Sequence, residues 1–288
     1  MKPAAFDYLR PSSLEEALQQ LAAGGDRAKV IAGGQSLGPM LNMRLAMPSV
    51  LIDLNDLTEL AYIREGGAFL SIGALTRHEQ IAGSALVQAR CPLLGQAAKT
   101  IGHYAIRQRG TLGGSLAHAD PAAQFPLIAM TLGAEIEIAR QGGARRVPAP
   151  AFFQSAMTTA LAPDEIIRCV HFPTISVNEG TSFQLFNRRH GDYAIVAVAA
   201  TVALQDERVV RVRLGLSGVG AIPQSCDDMV RPLLGHLANA AWAADVARAV
   251  RVAVAPEDDA GITAVYRKEL TEKLVQQALE RALSRAKG

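Results

Sequence analysis

Two short segments carry paired glycines beside hydroxyl residues: Ala32-Gly33-Gly34-Gln35-Ser36 and Arg109-Gly110-Thr111-Leu112-Gly113-Gly114-Ser115. Glycine tolerates positive φ and leaves no Cβ between main chain and ligand. Successive main-chain N–H groups can then converge on an anion. Ser36, Thr111 and Ser115 add hydroxyls. Hydrogen bonds to a charged group contribute on the order of 1.5–3 kcal/mol each, so several can hold a diphosphate without a lysine. A single Gly-Gly is more often a plain tight turn. Gly24-Gly25, Gly66-Gly67 and Gly142-Gly143 have no hydroxyl after the second glycine and read as such turns. Neither segment fits GxGxxG or GxxxxGK[ST], so the dinucleotide and P-loop fingerprints are absent. A diphosphate can be held by both segments only if they adjoin in space and their amides are not already engaged within the protein.

The elements that must position these turns follow from periodicity and punctuation. Ala5–Leu9 reads as extended, and Ser12 or Ser13 caps a helix over Leu14–Ala23. Lys29–Ala32 reads as a short buried strand that ends at Gly33-Gly34. A short helix near Pro39–Leu45 and a strand over Val50–Leu54 complete a βαβ-like lobe. A second lobe holds strands at Ala61–Ile63 and Phe69–Ile72, a helix over Arg77–Ala82 capped by Thr76, and a helix over Leu93–Ile101. A hairpin around Gln141-Gly142-Gly143 and a strand over Ile166–Phe172 follow. Thr174–Gly180 reads as a linker. Beyond it, the apolar run Ala194–Leu204, a strand over Val209–Ser217 and helices from about 233 to 253 and 264 to 286 make a third lobe of sheet plus helices.

The 288 residues are 49% hydrophobic and 19% charged, with a net charge of +2. That length suggests two domains at ~100–200 residues each. No basic tract or aromatic-plus-basic stripe points to nucleic acid. Cys91, Cys169 and Cys226 are too few and too scattered for a disulfide framework or an iron–sulfur cluster, and read as buried or incidental thiols. No apolar run reaches ~18 residues, and Lys2-Pro3 with Asp7 does not read as a leader. The expectation is a soluble, cytoplasmic chain that makes no membrane span.

Together the motifs resemble the FAD-binding medium subunit of molybdenum hydroxylases, the family of carbon monoxide dehydrogenase medium subunits and xanthine dehydrogenase flavin domains. The resemblance runs from Pro11-Ser12-Ser13-Leu14-Glu15-Glu16-Ala17 through both glycine segments. It continues through Ile72-Gly73-Ala74-Leu75-Thr76, Ala119-Asp120-Pro121-Ala122-Ala123 and Leu161-Ala162-Pro163-Asp164-Glu165-Ile166-Ile167, to Gly191-Asp192-Tyr193-Ala194 and Tyr266-Arg267. It implies an α+β fold: a two-lobed, PCMH/vanillyl-alcohol-oxidase-like FAD-binding domain over 1–175, with lobes of about 1–57 and 58–175. A smaller sheet-plus-helices domain over 178–288 follows.

By that resemblance, Ala32, Gly33, Gly34, Gln35, Ser36 and Leu37, with Gly110, Thr111, Gly113 and Gly114, grip the FAD diphosphate between the lobes. Lys29 lies near the adenine end, and Ile101 and Gly102 near the flavin. Ser115, His118 and Asp120 line the ribityl and ribose side, Ile166 and Ile167 support adenine or flavin, and Tyr193 stands beside the isoalloxazine. Asp120 can also cap a helix starting at Pro121, and Tyr193 can serve in packing alone. His118 has only its position to argue for it, and His78 and His103 read as surface or capping residues. Two departures stand out. Gln124 replaces a frequent acidic residue, weakening one contact to the FAD sugar. Gln184-Leu185-Phe186-Asn187 lacks the lysine that many members carry before the arginine pair, here Arg188-Arg189.

The family's enzymes oxidise substrate at a molybdopterin cofactor in a large subunit. Two [2Fe–2S] clusters in a small subunit pass electrons to FAD, and FAD passes them to an acceptor. The resemblance therefore implies an oxidoreductase subunit within a dimer of heterotrimers, with no acid, base, nucleophile or metal of its own for the organic substrate. Two alternatives stay open: a stand-alone flavin oxidoreductase of the same fold, and a flavin-free interaction subunit.

Overall fold

A computed structural model describes residues 2–176, 178–259 and 261–287. Val177, inside the expected linker, lies outside the described residues, as do Met1, Ala260 and Gly288. The first lobe is a parallel sheet with strands Asp7–Leu9, Val50–Asp53 and Ala28–Ile31 in that spatial order. Helix Leu14–Gly24 lies on it. Ser13 accepts from the Glu16 amide at 3.2 Å, and the Glu16 carboxylate accepts from the Ser12 amide at 2.6 Å. Both contacts tie down free donors at the helix start. Ala17, Leu18 and Leu21, at helical spacing, meet Ile52 and Leu54 in a small core.

The second lobe is an antiparallel sheet. Its strands are Ile63–Gly66, Phe69–Gly73, Ile166–Pro173, Glu135–Arg140 and Gly143–Pro148, in spatial order. The strand Ile166–Pro173 arrives from far along the chain and closes the sheet between two hairpins. Leu70, Ile72, Ile136, Ile138 and Val170 pack with Leu93, Leu94, Phe125 and Ile128 from the helices Pro92–Ala98 and Gln124–Leu132.

The third sheet orders Glu179–Phe186, Val196–Gln205, Arg208–Ser217 and Gln224–Ser225, all antiparallel. Side chains alternate faces along a strand. Val196, Val198, Ala200 and Val202 meet the helices Ala240–Ala253 and Ala264–Lys287. Ala197 and Ala199, on the other face, join the core of the second lobe. That double burial explains why the run 194–204 is apolar but for buried Thr201. A Cβ on Gly215 would lie 2.0 Å from Thr131 Oγ1, so helix Gln124–Leu132 rests directly on this sheet.

Several local expectations need correction. Thr76 caps no helix: its hydroxyl donates to the Tyr62 carbonyl at 3.0 Å and accepts from the Tyr62 amide at 3.1 Å, pinning two strand ends. The helix after Asp120 begins at Gln124, not Pro121. The second glycine segment is itself helical over Leu112–His118, with Thr111 as cap. The three cysteines are free and buried. Among the described residues, no helix is long and apolar enough to cross a membrane.

Candidate functional site

The two glycine segments adjoin. A Cβ on Gly33 would stand 2.1 Å from the Arg109 carbonyl oxygen and 2.8 Å from Gly110 Cα. Gly33 therefore serves main-chain-to-main-chain contact between the lobes. Gly34 has φ +69°, which turns the chain into helix Leu37–Asn42. Gln35 donates from its side chain to the Gly33 carbonyl at 2.8 Å, closing the turn on itself. The amides of Gly33, Gly34, Gln35, Ser36 and Leu37 have no acceptor within the protein among the described hydrogen bonds. A row of free N–H groups ending at a helix start suits an anion.

The second segment departs from expectation. Leu112 donates its amide to Thr76 at 3.1 Å and Gly113 to Ala74 at 2.8 Å. The Gly114 amide goes to Thr111 Oγ1 at 3.2 Å and that of Ser115 to the Thr111 carbonyl at 3.0 Å. These four donors are engaged, so the segment is no amide nest. Gly113 has a different physical reason: a Cβ there would lie 2.6 Å from the Ala74 Cβ. It lets helix Leu112–His118 seat against the end of strand Phe69–Gly73. Of the two conditions for a shared grip, adjacency is met by both turns, and free amides by the first.

A polar clamp beneath the turns escaped the sequence reading. Asn55 donates from its side chain to the Ala32 carbonyl at 2.9 Å and to Asp53 at 2.5 Å, and Tyr8 donates its hydroxyl to the same aspartate. Arg77 crosses the seam between the lobes. It donates to Asn55 Oδ1 at 2.7 Å and to the Arg109 carbonyl at 2.6 Å. Burial lowers the Arg77 pKa, and the charge of Arg109 adds to that, opposed by Asp53. The half-buried Arg77 guanidinium, with the charge of Arg109 near it, favours an anion beside the turns. His78 is buried, correcting its expected surface place. Its Nε2 sits 3.0 Å from the Thr111 carbonyl, an acceptor, so that nitrogen carries the proton. Burial pushes its pKa down to about 4 against the pull of that carbonyl, with Arg77 and Arg107 adding to the fall. Asn55 and Arg77 look like ordinary turn and helix-start residues in sequence. Only the adjacency of the lobes gives them a role.

The other expected residues distribute unevenly. Tyr193 is more than half exposed, yet its hydroxyl is partly desolvated near Ser36 and the charge of Asp120. Burial raises its pKa, the Asp120 carboxylate adds to that, and the nearby Ser36 opposes it. Tyr193, Ser36 and Asp120 thus converge although they come from three lobes. Asp120 accepts from the Ala122 amide at 2.8 Å in a turn, and caps no helix. Ser115 and His118 lie half-buried on the short helix before it. Gly102, with φ +49°, follows Ile101, and both carbonyls accept from Arg107 at 3.3 Å. Lys29 is exposed on the edge strand that leads into the first turn. Ile166 and Ile167 do not form one wall: successive strand residues face opposite ways. Ile166 enters the first-lobe core and Ile167 the second. Gln124 is buried at the start of its helix. Gln184 accepts from Arg281 at 2.7 Å and belongs to the packing of the C-terminal helix.

Comparisons with known proteins show the family. Residues 4–175 match the family model described as the FAD binding domain in molybdopterin dehydrogenase, and residues 181–282 that of the CO dehydrogenase flavoprotein C-terminal domain. The chain is 38% identical to the 6-hydroxypseudooxynicotine dehydrogenase complex subunit alpha of Paenarthrobacter nicotinovorans, over 100% of this chain and 97% of that one. It is 34% identical to the carbon monoxide dehydrogenase medium chain of Afipia carboxidovorans, over the whole of both. Among solved structures, a carbon monoxide dehydrogenase from Hydrogenophaga pseudoflava superposes with a TM-score of 0.95 at 33% identity, covering 99% of each chain. Quinoline 2-oxidoreductase from Pseudomonas putida does so at 0.94 and 36%, covering 99% of each chain. The chain belongs to the molybdenum hydroxylase family as its FAD-binding medium subunit, part of an oxidoreductase.

Proposed function

We propose that this chain holds one FAD with its diphosphate on the free amides of the first glycine turn, and works as the electron-relay subunit of a molybdenum-dependent dehydrogenase. The observation that carries the reading is the row of free amides at Gly33–Leu37, held against Arg109-Gly110 of the second lobe in a chain of this family. Bound FAD supplies a flavin that takes electrons from the [2Fe–2S] clusters of a small subunit and hands them to an external acceptor.

The chain's own residues bind and orient. Ala32 to Leu37 carry the diphosphate, while Arg77 and Arg109 set a positive field around it. Thr111 keeps the second turn in place, leaving Gly114 exposed beside it. Ser36, Asp120 and Tyr193 meet at one edge of the cleft, where Tyr193 limits access of solvent to the flavin. Ser115 and His118 flank that edge, Ile101 and Gly102 approach the flavin, and Lys29 lies toward the adenine. Domain limits of 1–175 and 178–288, a large molybdopterin subunit, pairing of heterotrimers and a cytoplasmic site are parts of the same proposal.

Purification of the assembled enzyme tests it. One FAD per chain, with iron and molybdenum in the partners, and bleaching of the flavin by substrate only when the iron–sulfur partner is present, is the expected outcome. A colourless chain, or a flavoprotein that substrate reduces without any metal-bearing partner, contradicts it.

A further inference from the structure

The outer face of the second-lobe sheet carries a cluster that flavin binding does not use. Cys169 and His171 are two apart on strand Ile166–Pro173, so they share a face. Glu137 pairs directly with Cys169 across the ladder, which sets its side chain on that same face. Cys169 Sγ lies 3.3 Å from His171 Nε2, which lies 3.1 Å from Glu137 Oε2. All three ligand-type atoms fall within 4.8 Å of one another. Bond lengths of about 2.3 Å to sulfur and 2.0–2.2 Å to nitrogen and oxygen give tetrahedral edges of roughly 3.4–3.6 Å. The Cys169–His171 and His171–Glu137 separations need only a few tenths of an ångström of opening to match, and the Cys169–Glu137 separation lies within 4.8 Å.

We propose that Glu137, Cys169 and His171 form a three-ligand site for Zn2+ or a divalent cation of similar softness. A thiolate and an imidazole select such an ion over Mg2+ or Ca2+, which prefer all-oxygen shells. Ser71, directly opposite His171 in the sheet, holds His171 Nδ1 at 2.8 Å. Without metal, Nε2 faces the Glu137 carboxylate and carries the proton; when an ion binds, the proton moves to Nδ1, which donates to Ser71 and frees the Nε2 lone pair, the outer-shell arrangement that orients histidine ligands. Glu137 divides its oxygens: Oε1 accepts from Arg168 at 3.0 Å, while Oε2 faces His171, with Arg146 at 3.4 Å. Binding a divalent ion with loss of the Cys169 proton raises the local charge by one, which Glu135, paired with Arg146 at 3.5 Å, helps to offset. Coordination replaces the Cys169 thiol proton, which leaves to solvent. The fourth position opens into a cavity of about 300 Å³, lined also by Tyr62 and Arg64, with room for water or a small anion. Three protein ligands with one open position distinguish this site from a closed structural zinc centre.

Zinc titration of the purified full chain, followed by X-ray absorption at the zinc edge, tests the site without interference from flavin. The expected result is one tightly bound zinc with one sulfur neighbour at about 2.3 Å and nitrogen or oxygen neighbours at about 2.0–2.2 Å. Cys169→Ser should remove the sulfur neighbour. It and His171→Asn should weaken binding by more than the roughly 10–100-fold expected for Ser71→Ala. FAD content reports whether each variant is folded, and the wild-type spectrum decides the matter even where a variant fails. Zinc bound only through nitrogen and oxygen, a sulfur neighbour that survives in Cys169→Ser, or no stoichiometric zinc in the wild type would overturn the proposal.

Discussion

Arg77 donates to Asn55 Oδ1 at 2.7 Å across the seam between the first two lobes, and this pair sets the spacing of the glycine turns. Asn55 holds the first turn through the Ala32 carbonyl, and Arg77 holds the second through the Arg109 carbonyl. Asn55→Ala and Arg77→Met should each destabilise the FAD-bound chain by about 1–3 kcal/mol, as expected for a lost bond to a charged or half-buried partner. Because both act on one contact, the double variant should lose less than the sum. Denaturant melts and FAD dissociation constants of the four proteins measure this. Strict additivity would show that the clamp does not couple the turns.

Gly33→Ala places a methyl group where the Arg109 carbonyl sits, since the available distance is 2.1 Å. The backbone on both sides must separate, and FAD content should fall by about tenfold or more, the effect of a loss of at least ~1.4 kcal/mol in binding. Gly143→Ala, at a hairpin position with nothing within 4 Å, should leave FAD content unchanged. Absorbance ratios of flavin to protein in the two variants provide the comparison.

His78 makes stability depend on pH. Its pKa falls from an ordinary 6.5 to about 4 in the folded chain because burial penalises the charged ring. The unfolded chain therefore binds more protons between those values, and stability is lost as pH falls from 6.5 toward 4. The loss amounts to roughly 3 kcal/mol. His78→Gln should be less stable at neutral pH but lack this part of the acid slope. Chemical denaturation from pH 7 to pH 4 tests the difference. An unchanged slope in the variant would remove His78 as its source.

In the C-terminal domain, buried Arg267 donates to the Ile195 carbonyl at 2.8 Å and the Gly218 carbonyl at 2.7 Å, and pairs with Asp259. Arg267→Met strands both carbonyls and should destabilise by about 3 kcal/mol. The Asp259 carboxylate is half exposed, so Asp259→Asn should cost about 1 kcal/mol or less. Ile195 is two residues from Tyr193, so the arginine variant should also loosen that tyrosine, seen as a faster quench of flavin fluorescence by iodide.

Much of this arrangement is legible in the residues. Leu14, Ala17, Leu18 and Leu21 announce a helix, Ser13 its start, and Gly34 the turn that the free amides require. The helix Leu112–His118 was not legible, because two glycines oppose helix formation locally. Tertiary contact with Ala74 and the Thr111 cap override that preference. Ile166 and Ile167 read as one apolar pair, and strand alternation divides them between two cores. Asn55, Arg77 and the trio Glu137, Cys169 and His171 carry no local signature. Their meaning comes from strands and lobes that are distant along the chain.

Hydrogen exchange with and without FAD reads the division of labour between the turns most directly. Amides at Gly33–Leu37 should exchange quickly in the apo chain and become protected when FAD binds. Those at Leu112–Ser115, already bonded to Ala74, Thr76 and Thr111, should be slow in both states. Protection gained at Leu112–Ser115 with none at Gly33–Leu37 would contradict the placement of the diphosphate on the first turn.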